Sequence, residues 1–309
     1  MGDDGPVTEG TRTATAADWL EAARPHTWAN AFAPVLAGTA AAMLGDGARP
    51  GRAVLAGIVA WALIIGVNYA NDYSDGIRGT DDDRSGPLRI TGSGLVAPGR
   101  VKAAAFAAFG LAAVAGCALA ALAAWWLIPL GAVCILAAWF YTGGRRPYGY
   151  RGLGEAAVFV FFGLVAVCGT EFVQAGRVSP AGLVAAVAVG AISASVNLVN
   201  NLRDIPSDAA AGKRTLAVAL GDAGTRRLWP VLAAAPLAAA PVLAVLGTWW
   251  ALGCLAVAPA LARAARPVLR GAGGAALIPV LGGVGRAMLA WSALLLTAAA
   301  LHQALPLPA

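Results

Sequence analysis

The feature that most constrains this chain is a series of apolar blocks, each close to 20 residues long, separated by short stretches rich in Arg, Asp, Gly and Pro. A helix of about 20 apolar residues spans the hydrocarbon core of a bilayer, where every backbone polar group needs an internal partner. Charged residues make up 12% of the chain, against roughly 25% in an ordinary soluble domain. The sequence therefore predicts an all-α, polytopic integral membrane protein.

The blocks predict about nine transmembrane helices in one domain, residues 18–309. Two connections are very short, at Trp125-Trp126 and at Trp249-Trp250, and Trp is favoured at the lipid interface. Residues 1–17 are polar and lack the apolar core of a signal peptide, so a disordered cytoplasmic segment is expected there. The predicted spans are 20–43, 53–74, 102–123, 125–142, 154–174, 181–203, 228–246, 249–268 and 284–305.

Lys and Arg residues concentrate in alternate loops of this topology. The N-terminal segment and the loops after spans two, four, six and eight hold 19 of the 22, and Arg49, Arg52 and Arg177 lie on the opposite side. Basic loops favour the cytoplasm. We therefore expect a multi-pass protein of the plasma membrane with a cytoplasmic N-terminus. The net charge of +6 is accounted for by topology, and no nucleic-acid partner is expected.

The first dense polar cluster runs off the end of the second span. Asn68, Asp72 and Asp75 are spaced i, i+4, i+7, and Asn71 precedes Asp75 by four, so one helix face presents amides and carboxylates. Such a face is costly in lipid and is expected to turn toward the bundle interior or a water-filled cavity. Arg78 follows, and then Asp81, Asp82 and Asp83, which fit either a solvated loop or, for Asp81, a part in the site.

The second cluster closes the sixth span, on the same side of the membrane. Asn197, Asn201, Asp204 and Asp208 fall at i, i+4, i+7, i+11, which again makes a single stripe, and Arg203 and Lys213 lie close by in sequence. Magnesium takes oxygen ligands, typically one or two carboxylates together with substrate phosphates. Nearby cations stabilise the charge of a leaving diphosphate. Two facing stripes therefore predict a site that binds a diphosphate through Mg²⁺.

An ion-coupled transporter is the alternative from another class, because intramembrane acids also coordinate transported ions. That alternative predicts acids near the bilayer midplane, on discontinuous helices. Here both acidic stripes run to helix ends on one side of the membrane, which favours an enzyme.

Both clusters resemble the aspartate-rich motifs of the UbiA superfamily of intramembrane prenyltransferases, and their surroundings are similar to those of its 1,4-dihydroxy-2-naphthoate polyprenyltransferase branch. The resemblance is carried by Asn68-xx-Asn71-Asp72-xx-Asp75, Gly86-Pro87-Leu88-Arg89, Tyr141-Thr-Gly-Gly, Arg146-Pro-Tyr-Gly-Tyr-Arg-Gly-Leu-Gly-Glu155 and Asn200-Asn201-x-Arg203-Asp204-xxx-Asp208-xxx-Gly212-Lys213-x-Thr215. It implies nine helices around a cavity that opens sideways to lipid. It also implies transfer of a polyprenyl group from its diphosphate to the naphthoate, with loss of carbon dioxide and diphosphate, giving demethylmenaquinone. Another aromatic acceptor, such as 4-hydroxybenzoate, stays open.

The resemblance also implies roles for individual residues. It makes Asp72, Asp75, Asp204, Asp208 and Lys213 the catalytic set, with Asn71, Asp75, Asp204 and Asp208 holding Mg²⁺. Substrates would contact Asn68, Asn71, Arg78, Asn197, Asn201, Arg203, Tyr141 and Tyr148, the two tyrosines being candidates to orient the aromatic acceptor together with Tyr150. In three places the chain departs from the family pattern. Arg145 stands where a Pro is expected after Gly144. Gly79 stands where the ubiquinone branch has a third carboxylate, and His26 stands where an N-terminal basic residue is usual.

Overall fold

A computed structural model of the chain describes residues 13–79 and 88–305. The described residues form helices joined by loops and turns, without strands, as predicted. We number the helices α1 Ala16–Ala22, α2 Ala29–Leu44, α3 Pro50–Gly76, α4 Pro98–Leu122, α5 Leu127–Phe140, α6 Gly154–Ala175, α7 Pro180–Arg203, α8 Ile205–Ala210, α9 Leu216–Leu246, α10 Trp249–Leu269 and α11 Gly274–Ala304. Asp81, Asp82, Asp83, Gly86, Pro87 and residues 1–12 lie outside the described ranges.

Among these helices, seven are long and apolar enough to cross a membrane, and α2 and α5 are shorter apolar helices. The seven long helices and the two shorter ones together confirm the prediction of about nine membrane helices. Three starts differ clearly from the sequence prediction. Helix α11 begins at Gly274, ten residues before its predicted start, because the turn Gly274–Leu277 continues directly into the long helix. Helix α2 begins at Ala29, because Arg24 adopts a left-handed conformation (φ 53°) directly before Pro25 and separates α1 from it. Helix α9 begins at Leu216 and is kinked at Gly221, where φ is 69°.

The helix starts follow from local chemistry. Pro50, Pro98 and Pro180 each stand in the first turn of α3, α4 and α7, where the missing N–H costs nothing. The Ser179 hydroxyl caps α7 by accepting the backbone N–H of Gly182 at 3.0 Å. At the other end of this helix the chain breaks at Asp204, and Pro206 opens the short helix α8. Asp208 therefore lies on a separate short helix and does not continue the face of α7.

Helix α7 is the central element of the bundle. In its most apolar stretch 72% of the residues are buried, whereas the share is 50% or less in each of the other six spans. It packs on α2, α6, α9 and α11. The Trp229 indole of α9 reaches across to donate to the Ser195 carbonyl at 3.0 Å, in the buried core. The helix that carries the second polar stripe is therefore held from several sides.

Two glycines allow α6 and α7 to approach closely. Helix α6 runs as a π-helix from Phe159 to Cys168. A Cβ added at Gly163 would lie 2.5 Å from the Gly190 Cα and 2.6 Å from the Ala186 carbonyl oxygen. Small residues at such contacts are how membrane helices gain packing energy, since lipid supplies no hydrophobic force between them.

We predict that Gly163→Ala lowers the midpoint of thermal unfolding in detergent, because the added methyl group must push two backbones apart at a cost of about 1–3 kcal/mol. Gly57→Ala is the matched control, since a Cβ there meets nothing within 4 Å and a helical alanine is favourable. Equal stability of the two variants would contradict the close packing of α6 on α7.

Candidate active site

A cavity of about 910 Å³ lies between α3 to α5 on one side and α6, α7 and α11 on the other. Most of its wall is apolar, with side chains such as Leu63, Leu130, Phe161, Phe162 and Val165. One end is polar, and both predicted clusters reach it. Asn68, Asn71, Asp75, Asn197, Asn200, Asn201, Arg203, Asp208 and Lys213 all line the cavity. The expectation that the two stripes face one another across a cavity is met for these residues.

From the first stripe, Asn71 and Asp75 present oxygens at the polar end. The Thr142 hydroxyl donates to Asn71 Oδ1 at 2.7 Å, which fixes the amide so that its oxygen faces the loop after α5. The Tyr150 hydroxyl donates to Asp75 Oδ1. Both partners come from the segment between α5 and α6, so this loop positions the first stripe.

Asp72 has another task than the one predicted for it. It is 1% exposed and does not line the cavity. Its two carboxylate oxygens accept the backbone N–H groups of Ile90 and Thr91 at 3.0 and 2.8 Å. Asp72 therefore anchors the chain that leads back into α4, and we correct its predicted catalytic role to this structural one.

Asn68 and Arg78 are also engaged elsewhere. Asn68 Nδ2 donates to the Ala23 carbonyl and to the Thr27 hydroxyl, at 3.0 and 2.9 Å, and so ties α3 to the turn before α2 while its side chain still borders the cavity. The Arg78 guanidinium donates to the carbonyls of Thr142 and Gly144 and lies outside the cavity wall. Arg78 thus fixes the loop after α5, which corrects its predicted contact with substrate.

The second stripe is organised by two ion pairs. Arg203 and Asp204 form a bidentate pair at 2.7 and 2.8 Å, buried on both sides. Asp208 pairs with Lys213, with Nζ 3.7 Å from Oδ1. Asp208 and Lys213 line the cavity, whereas Asp204 does not. Both Asp204 oxygens accept from Arg203, so in this structure the carboxylate is held in an ion pair, and its role as a metal ligand stays a prediction.

Tyr150 links the two stripes. Its hydroxyl bonds to Asp75, and Lys213 Nζ lies 4.5 Å from the centre of its ring. The Arg214 backbone N–H also donates to the Tyr150 carbonyl at 2.9 Å. A cation over an aromatic face is attracted by the ring quadrupole. A continuous chain of contacts thus runs from Asp75 through Tyr150 and Lys213 to Asp208.

A second polar patch of the wall is formed by Tyr141, Tyr148 and Asn197. The two rings meet edge to face with centroids 5.4 Å apart, and the Tyr141 hydroxyl donates to Asn197 Oδ1 at 3.4 Å. The Tyr148 hydroxyl donates to the Ala137 carbonyl at 2.9 Å, and burial raises the pKa of Tyr148 to about 12. These phenols are therefore neutral donors near pH 7.

Further cations line the polar end. Arg24, Arg89 and Arg286 join Arg203 and Lys213 there. His26 also borders the cavity, but burial and then the nearby charges of Arg24 and Arg203 lower its pKa. His26 therefore adds little positive charge near pH 7, and the positive potential comes from the arginines and Lys213.

The donor set suits magnesium better than a transition metal. Within residues 13–79 and 88–305, no three His, Cys, Asp or Glu side chains gather closely enough to form a metal site of their own. Mg²⁺ does not need one, because it is usually held by one or two carboxylates and by the phosphates of the substrate. Asp75 and Asp208, with the Asn71 amide oxygen, supply such a set around a cavity that could receive the phosphates.

Three residues of the site were not among those predicted from the stripes. Thr142, Tyr150 and Glu155 belong to the loop segments quoted above for the family resemblance, yet their contacts with Asn71, Asp75 and Asn201 depend on tertiary folding. Their signal in the sequence was the concentration of Tyr, Gly and Arg between the fourth and fifth spans, which periodicity alone does not explain.

Comparison with known proteins gives a consistent result. A sequence model of the UbiA prenyltransferase family matches residues 31–276. The 1,4-dihydroxy-2-naphthoate octaprenyltransferase of Mycobacterium tuberculosis is 57% identical over 282 residues, which cover 90% of this chain and 95% of that protein.

Solved structures share the fold at low sequence identity. A UbiA homolog from Aeropyrum pernix superposes with a TM-score of 0.67 at 16% identity, over 89% of this chain and 98% of that one. A UbiA homolog from Archaeoglobus fulgidus, bound to GPP and Mg²⁺, superposes with a TM-score of 0.59 at 15% identity, over 91% and 99%.

The two neighbouring carboxylates of the first stripe are expected to respond differently to substitution. Asp72→Ala removes the acceptor of two buried amides, so hydrogen exchange at Ile90 and Thr91 should rise about tenfold or more. Asp75→Ala should leave that exchange unchanged and abolish turnover. Hydrogen-exchange mass spectrometry in detergent measures the difference, and unchanged protection in the Asp72 variant would contradict the anchoring role.

Proposed function

Because the chain belongs to the UbiA prenyltransferase family, we propose that it transfers a polyprenyl group from polyprenyl diphosphate to 1,4-dihydroxy-2-naphthoate. Carbon dioxide and diphosphate are released, and demethylmenaquinone is formed, first as its hydroquinone. The observation that carries the proposal is the meeting of Asp75, Asp208 and Lys213 at the polar end of an otherwise apolar cavity. The 57% identity to a naphthoate octaprenyltransferase supports the choice of acceptor.

Magnesium is the proposed metal, held by Asp75 and Asp208 with the Asn71 amide oxygen. When bound, it supplies a positive charge that draws electrons from the diphosphate. The relative from Archaeoglobus fulgidus was solved with Mg²⁺ and a prenyl diphosphate, which supports this metal for the present chain. The identity of the donors is a second support, since all are hard oxygen ligands.

The residues of the polar end act on the leaving group. Lys213, held by Asp208 and by the Tyr150 ring, faces the charge that grows on the bridging oxygen as the allylic carbon–oxygen bond breaks. The electron pair of that bond leaves with the diphosphate. Arg203 also lines the cavity, and the guanidinium N–H groups that are not bonded to Asp204 can donate to the diphosphate. Fixed charges in a site of low dielectric stabilise such a change more strongly than water does.

The apolar wall and the tyrosine patch act on the other partner. Leucine, valine and phenylalanine side chains keep water from the allylic cation, which would otherwise be hydrolysed. The ring carbon that bears the carboxylate bonds to the allylic carbon, and the electron pair of the carbon–carboxylate bond returns to the ring as carbon dioxide leaves. Since no proton is removed from that carbon, the site needs no general base there. It needs an acceptor held in one orientation.

We predict that purified protein with Mg²⁺ and a polyprenyl diphosphate prenylates 1,4-dihydroxy-2-naphthoate and releases one carbon dioxide per product. Asp75→Ala and Asp208→Ala should lose product formation while remaining folded. Product chromatography and ¹⁴C-carboxyl release measure both. Prenylation of 4-hydroxybenzoate in place of the naphthoate would refute the assigned acceptor, and retained turnover in both alanine variants would refute the site.

We place the protein in the plasma membrane with its N-terminus and the polar end of the cavity toward the cytoplasm. The distribution of Lys and Arg between the two sides supports this orientation. In a variant without native cysteines, Arg145→Cys should react with an impermeant maleimide in inside-out vesicles, and Gly51→Cys should react in spheroplasts. Both positions are exposed at opposite ends of the bundle. The reverse pattern of labelling would overturn the orientation.

A further inference from the structure

Glu155 is a buried carboxylate that the reaction described above does not use. It stands in the first turn of α6, is 5% exposed, and lies behind the cavity wall, since it does not line the cavity itself. A carboxylate removed from water is costly unless it is paired and hydrogen-bonded. Its surroundings therefore need an explanation.

One asparagine of the second stripe is hydrogen-bonded to Glu155, and a second lies close to it. Asn201 Nδ2 donates to Glu155 Oε1 at 2.7 Å. Asn197, which also faces this carboxylate, carries an Nδ2 that is buried without a hydrogen-bond partner in the described part of the chain, and the same holds for Glu155 Oε2. Both asparagines border the cavity. The carboxylate thus stands directly behind two amides that form part of the wall.

Tyr141 belongs to the same group. Its hydroxyl donates to Asn197 Oδ1, and a Cβ added at Gly154 would lie 3.0 Å from that hydroxyl and 3.1 Å from Asn197 Nδ2. The glycine before Glu155 therefore leaves the space in which the tyrosine and the asparagine meet. Three cavity groups converge on the start of α6: Tyr141, directly after α5, and Asn197 and Asn201 of α7.

A negative charge in the first turn also interacts favourably with the helix dipole. That interaction needs only an exposed carboxylate. It does not account for a buried one that accepts from an asparagine on another helix. The contacts with Asn201 and Asn197 are what a positioning role requires.

We propose that Glu155 is a positioning residue for the aromatic acceptor: it orients the amides of Asn201 and Asn197, and through Asn197 the Tyr141 hydroxyl, toward the hydroxyl-bearing ring. This inference rests on the proposed function. Glu155 touches neither substrate, and its effect is exerted through the three groups in front of it. The residues that would bind the diphosphate, Asp75, Asp208 and Lys213, differ from the residues through which Glu155 acts.

The test separates the two substrates. In Glu155→Leu the Asn201 donor loses its acceptor and Asn197 loses the charge that faces it, so KM for the aromatic acid should rise about tenfold. KM for the polyprenyl diphosphate should change less than about twofold, because its binding groups are untouched. Glu155→Gln keeps the shape and one acceptor oxygen, retains the fold and should give a smaller rise in the same KM alone.

Glu171 offers a matched control sixteen positions further along the same helix. It is 1% exposed, accepts the Ser179 backbone N–H at 3.0 Å, has one oxygen without a partner in the described residues, and does not line the cavity. Glu171→Leu should lower thermal stability as Glu155→Leu does and leave both KM values unchanged.

The positioning role would be overturned if KM for the aromatic acid were unchanged in Glu155→Leu and Glu155→Gln. It would also be overturned if KM for the acid and KM for the polyprenyl diphosphate rose in parallel. The assay is run with whichever aromatic acid the wild-type protein prenylates. A wrong acceptor assignment therefore shows in the wild type, and a wrong role for Glu155 shows in the ratio of the two KM values.

Discussion

The structure depends on how the charged side chains buried in a lipid-embedded helix bundle are compensated by partners. A carboxylate or an ammonium group inside an apolar helix bundle is stable only where a partner compensates it. The pairs Arg203–Asp204 and Lys213–Asp208, and the Tyr150 hydroxyl on Asp75, do this at one end of a single cavity. The same contacts hold the loop between α5 and α6 in place. The same contacts therefore stabilise the bundle and make one end of the cavity polar. The rest of the cavity wall can remain apolar.

This division of the cavity fits a reaction in which a diphosphate leaves and a carbocation must avoid water. In the proposed reaction, the compensated charges at the polar end would receive the diphosphate, and the apolar wall would receive the prenyl chain. Between them lies the patch of Tyr141, Tyr148 and Asn197, which is neutral and can hydrogen-bond to an aromatic acceptor without trapping the cation. Two acidic stripes on separate helices are brought together because α7 is buried at the centre of the bundle.

Much of this could be predicted from the sequence, because lipid imposes a fixed length on apolar helices and a cost on polar faces. The spans, the two stripes and the cavity-lining roles of Asn71, Asp75, Asp208 and Lys213 followed from spacing and motif resemblance. The separate roles of Asp72 and Asp75 did not. They lie three positions apart on α3, about 60° around the helix, and only the return of the chain at Ile90 and Thr91 turns Asp72 into an anchor. The resemblance implied Asp204 as a metal ligand, and its ion pair with the adjacent Arg203 is a tertiary contact that the motif alone did not indicate.

The central claim is that the two stripes hold one metal-bound diphosphate between them. A structure of the protein with Mn²⁺ in place of Mg²⁺ and an unreactive prenyl thiodiphosphate tests it directly, since the anomalous signal of manganese locates the ion. The account predicts manganese bound to Asp75 and Asp208, with the thiodiphosphate beside Lys213 and its chain along the apolar wall. Manganese and thiodiphosphate bound away from either of the two aspartates would contradict it.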